Sequence, residues 1–92
     1  METLLTMLKT DLGIMSSTAY DARLTQYITS AIAAIRKHGA ETISKSNPLD
    51  AQLIVMYAAW LWRSRDKMEG MPDMLRIALN NRVFREKVNE DD

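Results

Sequence analysis

Hydrophobic positions along this chain recur at helical spacing, and in one stretch they close up completely. From Leu53 to Trp62 ten consecutive residues, Leu-Ile-Val-Met-Tyr-Ala-Ala-Trp-Leu-Trp, carry no charged side chain. The flanks make this a helix. Asn47-Pro48-Leu49-Asp50 supplies a cap, a proline suited to the first helical position and an acid for the first turn. Arg63, Arg65 and Lys67 place cations at the far end, where the helix dipole favours them. The predicted helix, about 48–67, is too long for a buried strand, and its apolar run falls short of the roughly 20 residues that span a bilayer. It is apolar all round, unlike a helix with one wet face. Trp60 and Trp62 are about 200° apart in helical rotation. Trp60 is predicted to enter the core with Leu53 and Tyr57. Val55, Ala59 and Trp62 then face another way.

Three more helices flank this one. Leu4, Leu5, Leu8 and Leu12 share a face of a short helix over 3–12, and Gly13 suits a left-handed stop with Ile14 folding back. Leu24, Tyr27, Ile28, Ala31, Ile32 and Ile35 form the clearest amphipathic stripe, over 19–38. Thr18 and Asp21 have capping-box spacing at its start, and Arg36-Lys37-His38-Gly39 closes it. Residues 39–47 form a linker whose Ile43 is expected to tuck inward. A fourth helix over 72–88 starts at Pro72 and turns Leu75, Ala78, Leu79 and Val83 inward, while Ile77, Phe84 and Val88 drift to a neighbouring face. Residues 89–92 are expected to fray. The prediction is an all-α domain over residues 1–92: a small bundle of four, possibly five, helices around a central, nearly all-apolar third helix.

Composition narrows the function. Ninety-two residues make one domain with one modest core. Twelve Lys/Arg balance twelve Asp/Glu, so bulk attraction to nucleic acid or membrane is not implied. Locally, seven Lys/Arg face four Asp/Glu between Leu61 and Val88. The start has neither a basic region nor a continuous apolar one, so a cytosolic location is expected. Without cysteine, disulfides and thiolate chemistry are absent. His38 is the sole histidine, suited to the end of its helix rather than to a metal site or dyad. The serines lack a nucleophile-elbow context, the carboxylates are scattered, and the three glycines sit at helix ends with no phosphate loop. No catalytic residue, metal ligand or cofactor site is predicted.

Two surfaces remain as candidates. Trp62 with Val55, Ala59, Arg63 and Arg65 forms a candidate subunit interface, because Trp and Arg are enriched among interface hot spots. Arg76, Arg82, Arg85 and Lys87 form a candidate basic face on the fourth helix. That face is either solvated, with surface pairs such as Arg82–Glu86 worth about 0.3–0.5 kcal/mol, or it meets an acidic partner or DNA. Asn80-Asn81-Arg82 would be the recognition segment in a helical DNA-binding or regulatory module.

Several segments together resemble a known family. They are Leu4-Leu5-Thr6-Met7-Leu8-Lys9 with Leu12-Gly13-Ile14, then Tyr20 to Ile28 with Ala31, then Asp50 and Tyr57-Ala58-Ala59-Trp60-Leu61-Trp62-Arg63-Ser64-Arg65. Met71-Pro72-Asp73-Met74-Leu75-Arg76 with Leu79-Asn80-Asn81-Arg82 completes the set. From Leu4 to about Val88 the chain resembles the small head–tail connector (adaptor) proteins of tailed bacteriophages. The resemblance lies in helix order and apolar spacing. It implies a non-catalytic structural subunit that assembles into a ring of about a dozen copies. The ring would join the portal of the DNA-filled head to the tail or head-completion protein in the virion neck. The subunit would be made in the host cytoplasm, away from membranes, and DNA could pass through the ring without sequence-specific contact. Family members commonly grip the portal or their neighbours with a longer C-terminal arm or an inserted loop. Here only Asn89 to Asp92 follow the fourth helix, so a portal contact would come from elsewhere.

Overall fold

Local signals set most of the helix ends. The computed structural model describes residues 2–67 and 69–90, Asn89 and Glu90 as backbone only. The order is α1 (Glu2–Leu12), α2 (Asp21–His38), α3 (Pro48–Arg63) and α4 (Asp73–Glu90). The fold is an all-α four-helix bundle with no strand among the described residues. The Asn47 side chain caps α3 as expected, accepting from the N–H groups of Leu49 (2.9 Å) and Asp50 (3.2 Å). Gly13 and Gly39 end α1 and α2 with positive φ, and each end makes the paired backbone bonds of a Schellman motif. At Gly39 space adds to the constraint: a Cβ there would meet Val83 Cγ1 of α4 at 3.0 Å.

Three predicted boundaries move by two residues or more. The start of α2 shifts from 19 to Asp21, and no side chain caps it. The Asp21 carboxylate, expected in a capping box with Thr18, instead lies 2.9 Å from the ammonium of Lys9 on α1. Lys9 is buried, and a buried cation needs a counter-charge more than a helix needs one cap. No donor is aligned on that Asp21 oxygen, so the contact is an ion pair. The end of α3 comes at Arg63 rather than 67. The Ser64 hydroxyl donates to the Trp60 carbonyl at 2.6 Å and Arg65 Nη1 donates to the Trp62 carbonyl at 2.6 Å. These bonds satisfy carbonyls that another turn would have used. Helix α4 continues through Glu90, two residues beyond the expected end. The rest of the expected frayed tail, Asp91 and Asp92, lies outside the described residues.

The core explains why α3 is apolar all round. Helices α1 and α2 pack on α3 and on each other, and α4 packs mainly on α3. Leu8, Leu24, Ile28, Ala31, Ile35, Ile54 and Ala58 are wholly excluded from water. Ile43 tucks in from the linker, as the sequence suggests, and so does Ala40.

The two tryptophans exchange their expected places. Trp62 is 9% exposed, whereas Trp60 is half-buried against the core's edge. Val55 and Ala59 are buried as well. The expected open face at Val55, Ala59 and Trp62 is therefore corrected: α1 and α2 cover it within the protomer. Tyr20 and Tyr27 meet the Trp62 ring edge-on at centroid distances of 5.3 and 5.8 Å, and the Arg65 guanidinium stacks on it at 3.9 Å. Arg63 and Arg65 remain exposed. Arg63 reaches Asp11 of α1, its Nη2 lying 3.1 Å from the carbonyl and 3.3 Å from the carboxylate.

This placement predicts that Trp62→Ala loses about 3–5 kcal/mol of stability, the range for truncating a buried aromatic. Trp60→Ala should lose distinctly less. Urea denaturation of both variants measures the order, and equal losses would contradict it.

Candidate functional site

The polar centre of the molecule joins the 39–47 linker, the start of α3 and the C-terminal half of α4. Asp50, in the first turn of α3, is buried. Its carboxylate accepts from the Ser44 N–H (3.0 Å) and from Arg82 Nε (2.8 Å). Arg82 is buried too, and its Nη1 lies 3.5 Å from Glu86, one helical turn on. Arg82 Nη2 donates to the Thr42 hydroxyl at 3.1 Å. The Thr42 hydroxyl lies 2.9 Å from each Glu86 oxygen, and the Thr42 N–H donates to Oε1 at 2.6 Å. One arginine thus sits between two buried carboxylates, and linker donors meet the remaining oxygens.

Charge and hydrogen bonding favour the ionised forms of Glu86 and Arg82. The Thr42 backbone N–H holds the Glu86 carboxyl below its ordinary range; burial opposes this, and the Thr42 hydroxyl and Arg82 reinforce it. The hydrogen bond that Arg82 donates to Asp50 raises Arg82 further above its already high value, with burial acting against it. Each carboxylate oxygen of the cluster is met by a donor from Arg82, Ser44 or Thr42, and a pocket of about 190 Å³ between α3 and α4 borders Asp50 and Arg82. The arrangement is a clasp.

This clasp corrects the predicted basic face. Arg82 is inside the protein, and its partner Glu86 is buried with it. Arg76 is exposed but paired with Asp73 at 2.6 Å. Arg85 and Lys87 are exposed, yet two residues apart on a helix they point about 200° away from one another. The four predicted residues do not form one cationic surface.

His38 is exposed at the end of α2, its ring centroid 6.4 Å from that of Tyr57. No cluster of three or more potential metal-ligating His, Cys, Asp or Glu exists among the described residues. No described helix is long and apolar enough to cross a membrane. An open, largely apolar groove of about 450 Å³ runs between α1 and α3, lined by Met7, Val55 and Met56 among others.

The surface that stands out is the outer side of α4. Met74 is 77% exposed and Phe84 67%, and Ile77 and Val88 are exposed beside them. The opposite side of the same helix holds buried Leu75 and Leu79 together with Arg82 and Glu86. The sequence separates Ile77, Phe84 and Val88 from the inner stripe but does not bring Met74 to them. Their common spacing of three and four residues is the signal that groups them.

No family model matches this chain, and neither the curated proteins nor the solved structures include one significantly similar to it.

Two outcomes follow from the clasp. Arg82→Met leaves two buried carboxylates without their cation and should cost about 3–5 kcal/mol in urea denaturation, the cost of breaking a buried pair from one side. Acid should also weaken the fold. A carboxyl whose folded pKa is depressed contributes its full stability above the unfolded pKa, about 4.3 for Glu. That contribution is lost as pH falls through the depressed folded value. Thermal melting between pH 7 and pH 2.5 should show this loss, and Glu86→Gln should flatten the profile. An unchanged profile would show that Glu86 does not set it.

Proposed function

We propose that this protein is a non-catalytic assembly subunit of the head–tail connector kind that its sequence resembles. Its copies would form a ring that joins portal to tail. The exposed apolar row on α4 supports this reading most. Contiguous apolar patches on soluble proteins mark surfaces that other chains cover, and this one lies on a helix held firmly from behind. The donors and acceptors of the polar cluster are spent mostly on one another, and the groove between α1 and α3 is largely apolar although Thr6, Thr10, Asp11 and Gln52 help to line it.

This reading moves the contact surface. The ring contact is assigned to Met74, Ile77, Phe84 and Val88 rather than to Val55, Ala59 and Trp62, which the protomer itself buries. Arg63 and Arg65 hold the end of α3 and bear on assembly only through the shape they maintain.

Electron microscopy of the protein mixed with portal rings from the same phage or prophage genome tests the proposal. The expected result is an added ring of density on the portal. Binding to duplex DNA should stay weak and change little between 50 and 200 mM salt. An unadorned portal, with DNA affinity falling steeply over that salt range, would instead identify a DNA-binding module that releases counterions.

A further inference from the structure

The outer residues of α4 follow a pattern that a water-facing surface does not need. Met74, Ile77, Asn81, Phe84 and Val88 recur at alternating intervals of three and four. That is the spacing of residues that face a second helix in a coiled coil. All five are exposed. The central residue is the polar one, and a single Asn in such a seam fixes register and partner at a cost in stability.

The flank beside this seam carries the Asp73–Arg76 ion pair at one end and Lys87 at the other. Asp73 and Lys87 lie on the same flank, about 21 Å apart along the axis. The seam itself reads nearly the same in both directions about Asn81. Reversing one copy against another sets Met74 against Val88, Ile77 against Phe84, and Asn81 against Asn81. It also brings each Asp73–Arg76 pair beside the other copy's Lys87, where Asp73 can be shared between the two cations, and it opposes the two helix dipoles. A parallel pair would keep Asp73 and Lys87 apart.

We propose that in the free protein this seam is covered by a second copy of the chain, α4 against α4, antiparallel, with a two-fold axis near Asn81. The contact is isologous and closes on itself. Its short length places it among small interfaces, so association depends on concentration. The clasp behind α4 fixes the seam before binding, which lowers the ordering cost. This goes beyond the ring reading, because it concerns the chain before assembly. A growing ring would exchange the α4–α4 contact for one with a neighbouring subunit.

Sedimentation of the full chain alone, from micromolar to millimolar, should show a monomer–dimer equilibrium. The chain has no cysteine, so one introduced thiol reports the axis. Asn81→Cys should give a disulfide-linked dimer under mild oxidation, and Ser30→Cys on exposed α2 should not. Phe84→Glu should abolish both dimer and cross-link while keeping the wild-type circular dichroism spectrum; if it unfolds the chain, Ile77→Glu gives the same readout. Asn81→Ile should tighten the dimer by about tenfold or more, because it removes the polar layer. A monomer at every concentration overturns the proposal. So does a dimer indifferent to Phe84→Glu, or a head-to-tail oligomer in which Asn81→Cys fails to cross-link. No portal is present in these experiments, so their failure is distinct from failure of the ring reading.

Discussion

The attachment of α4 turns on one buried arginine. Arg82 reaches Asp50 at the start of α3, and Glu86 beside it is held by Thr42 in the linker. The linker, the adjoining start of α3 and the distant C-terminal half of α4 therefore share one set of charges. Their burial carries a desolvation cost that only good geometry offsets. The geometry here is good: bonds of 2.6–3.0 Å meet both carboxylates, from Arg82, Ser44 and Thr42. Loss of Arg82 would leave both carboxylates buried without a cation, so the seating of α4 depends on it.

The clasp also decides which side of α4 faces inward. That helix has two apolar sides, Leu75, Ala78, Leu79 and Val83 on one and the bulkier set Met74, Ile77, Phe84 and Val88 on the other. Hydrophobic burial alone favours the outer set at least as strongly, since it is larger. Rolling the helix to bury that set would pull Arg82 and Glu86 away from Asp50 and Thr42. The buried charges thus select the orientation, and the larger apolar set is left facing water. Gly39 contributes from the other end, letting Val83 approach where a Cβ would sit at 3.0 Å.

Much of the bundle was legible because short-range rules govern it. Helix number and order, the Asn47 cap, the Gly13 and Gly39 stops, the inner stripe of α4 and the tucked Ile43 all follow from residues within a few positions of each other. The Trp60 and Trp62 assignment was not legible in the same way. A helical wheel shows that the two rings point apart, but not which neighbour covers which side. Tyr20 and Tyr27, which enclose Trp62, lie on the other side of a long loop and helix in sequence. Arg82 was placed on a surface for a related reason. Its local partner Glu86 was visible at one-turn spacing, but the deciding partner, Asp50, is 32 residues away. Lys9 and Asp21 repeat the lesson, where a distant buried charge took the carboxylate that a capping box would have used.

The candidate surface and the buried clasp are two sides of one helix, and this links stability to association. A sequence selected only for a stable monomer could replace Arg82, Asp50 and Glu86 with apolar residues of similar volume at little cost, or even at a gain. The packing of α4 would then lose the feature that sets its rotation. Either apolar side could seat, and the outer row would no longer be presented in one register. Buried charges at this position do little for stability that hydrophobic packing could not do. What they add is a single orientation of α4, and with it a fixed row of Met74, Ile77, Phe84 and Val88 for another chain to meet.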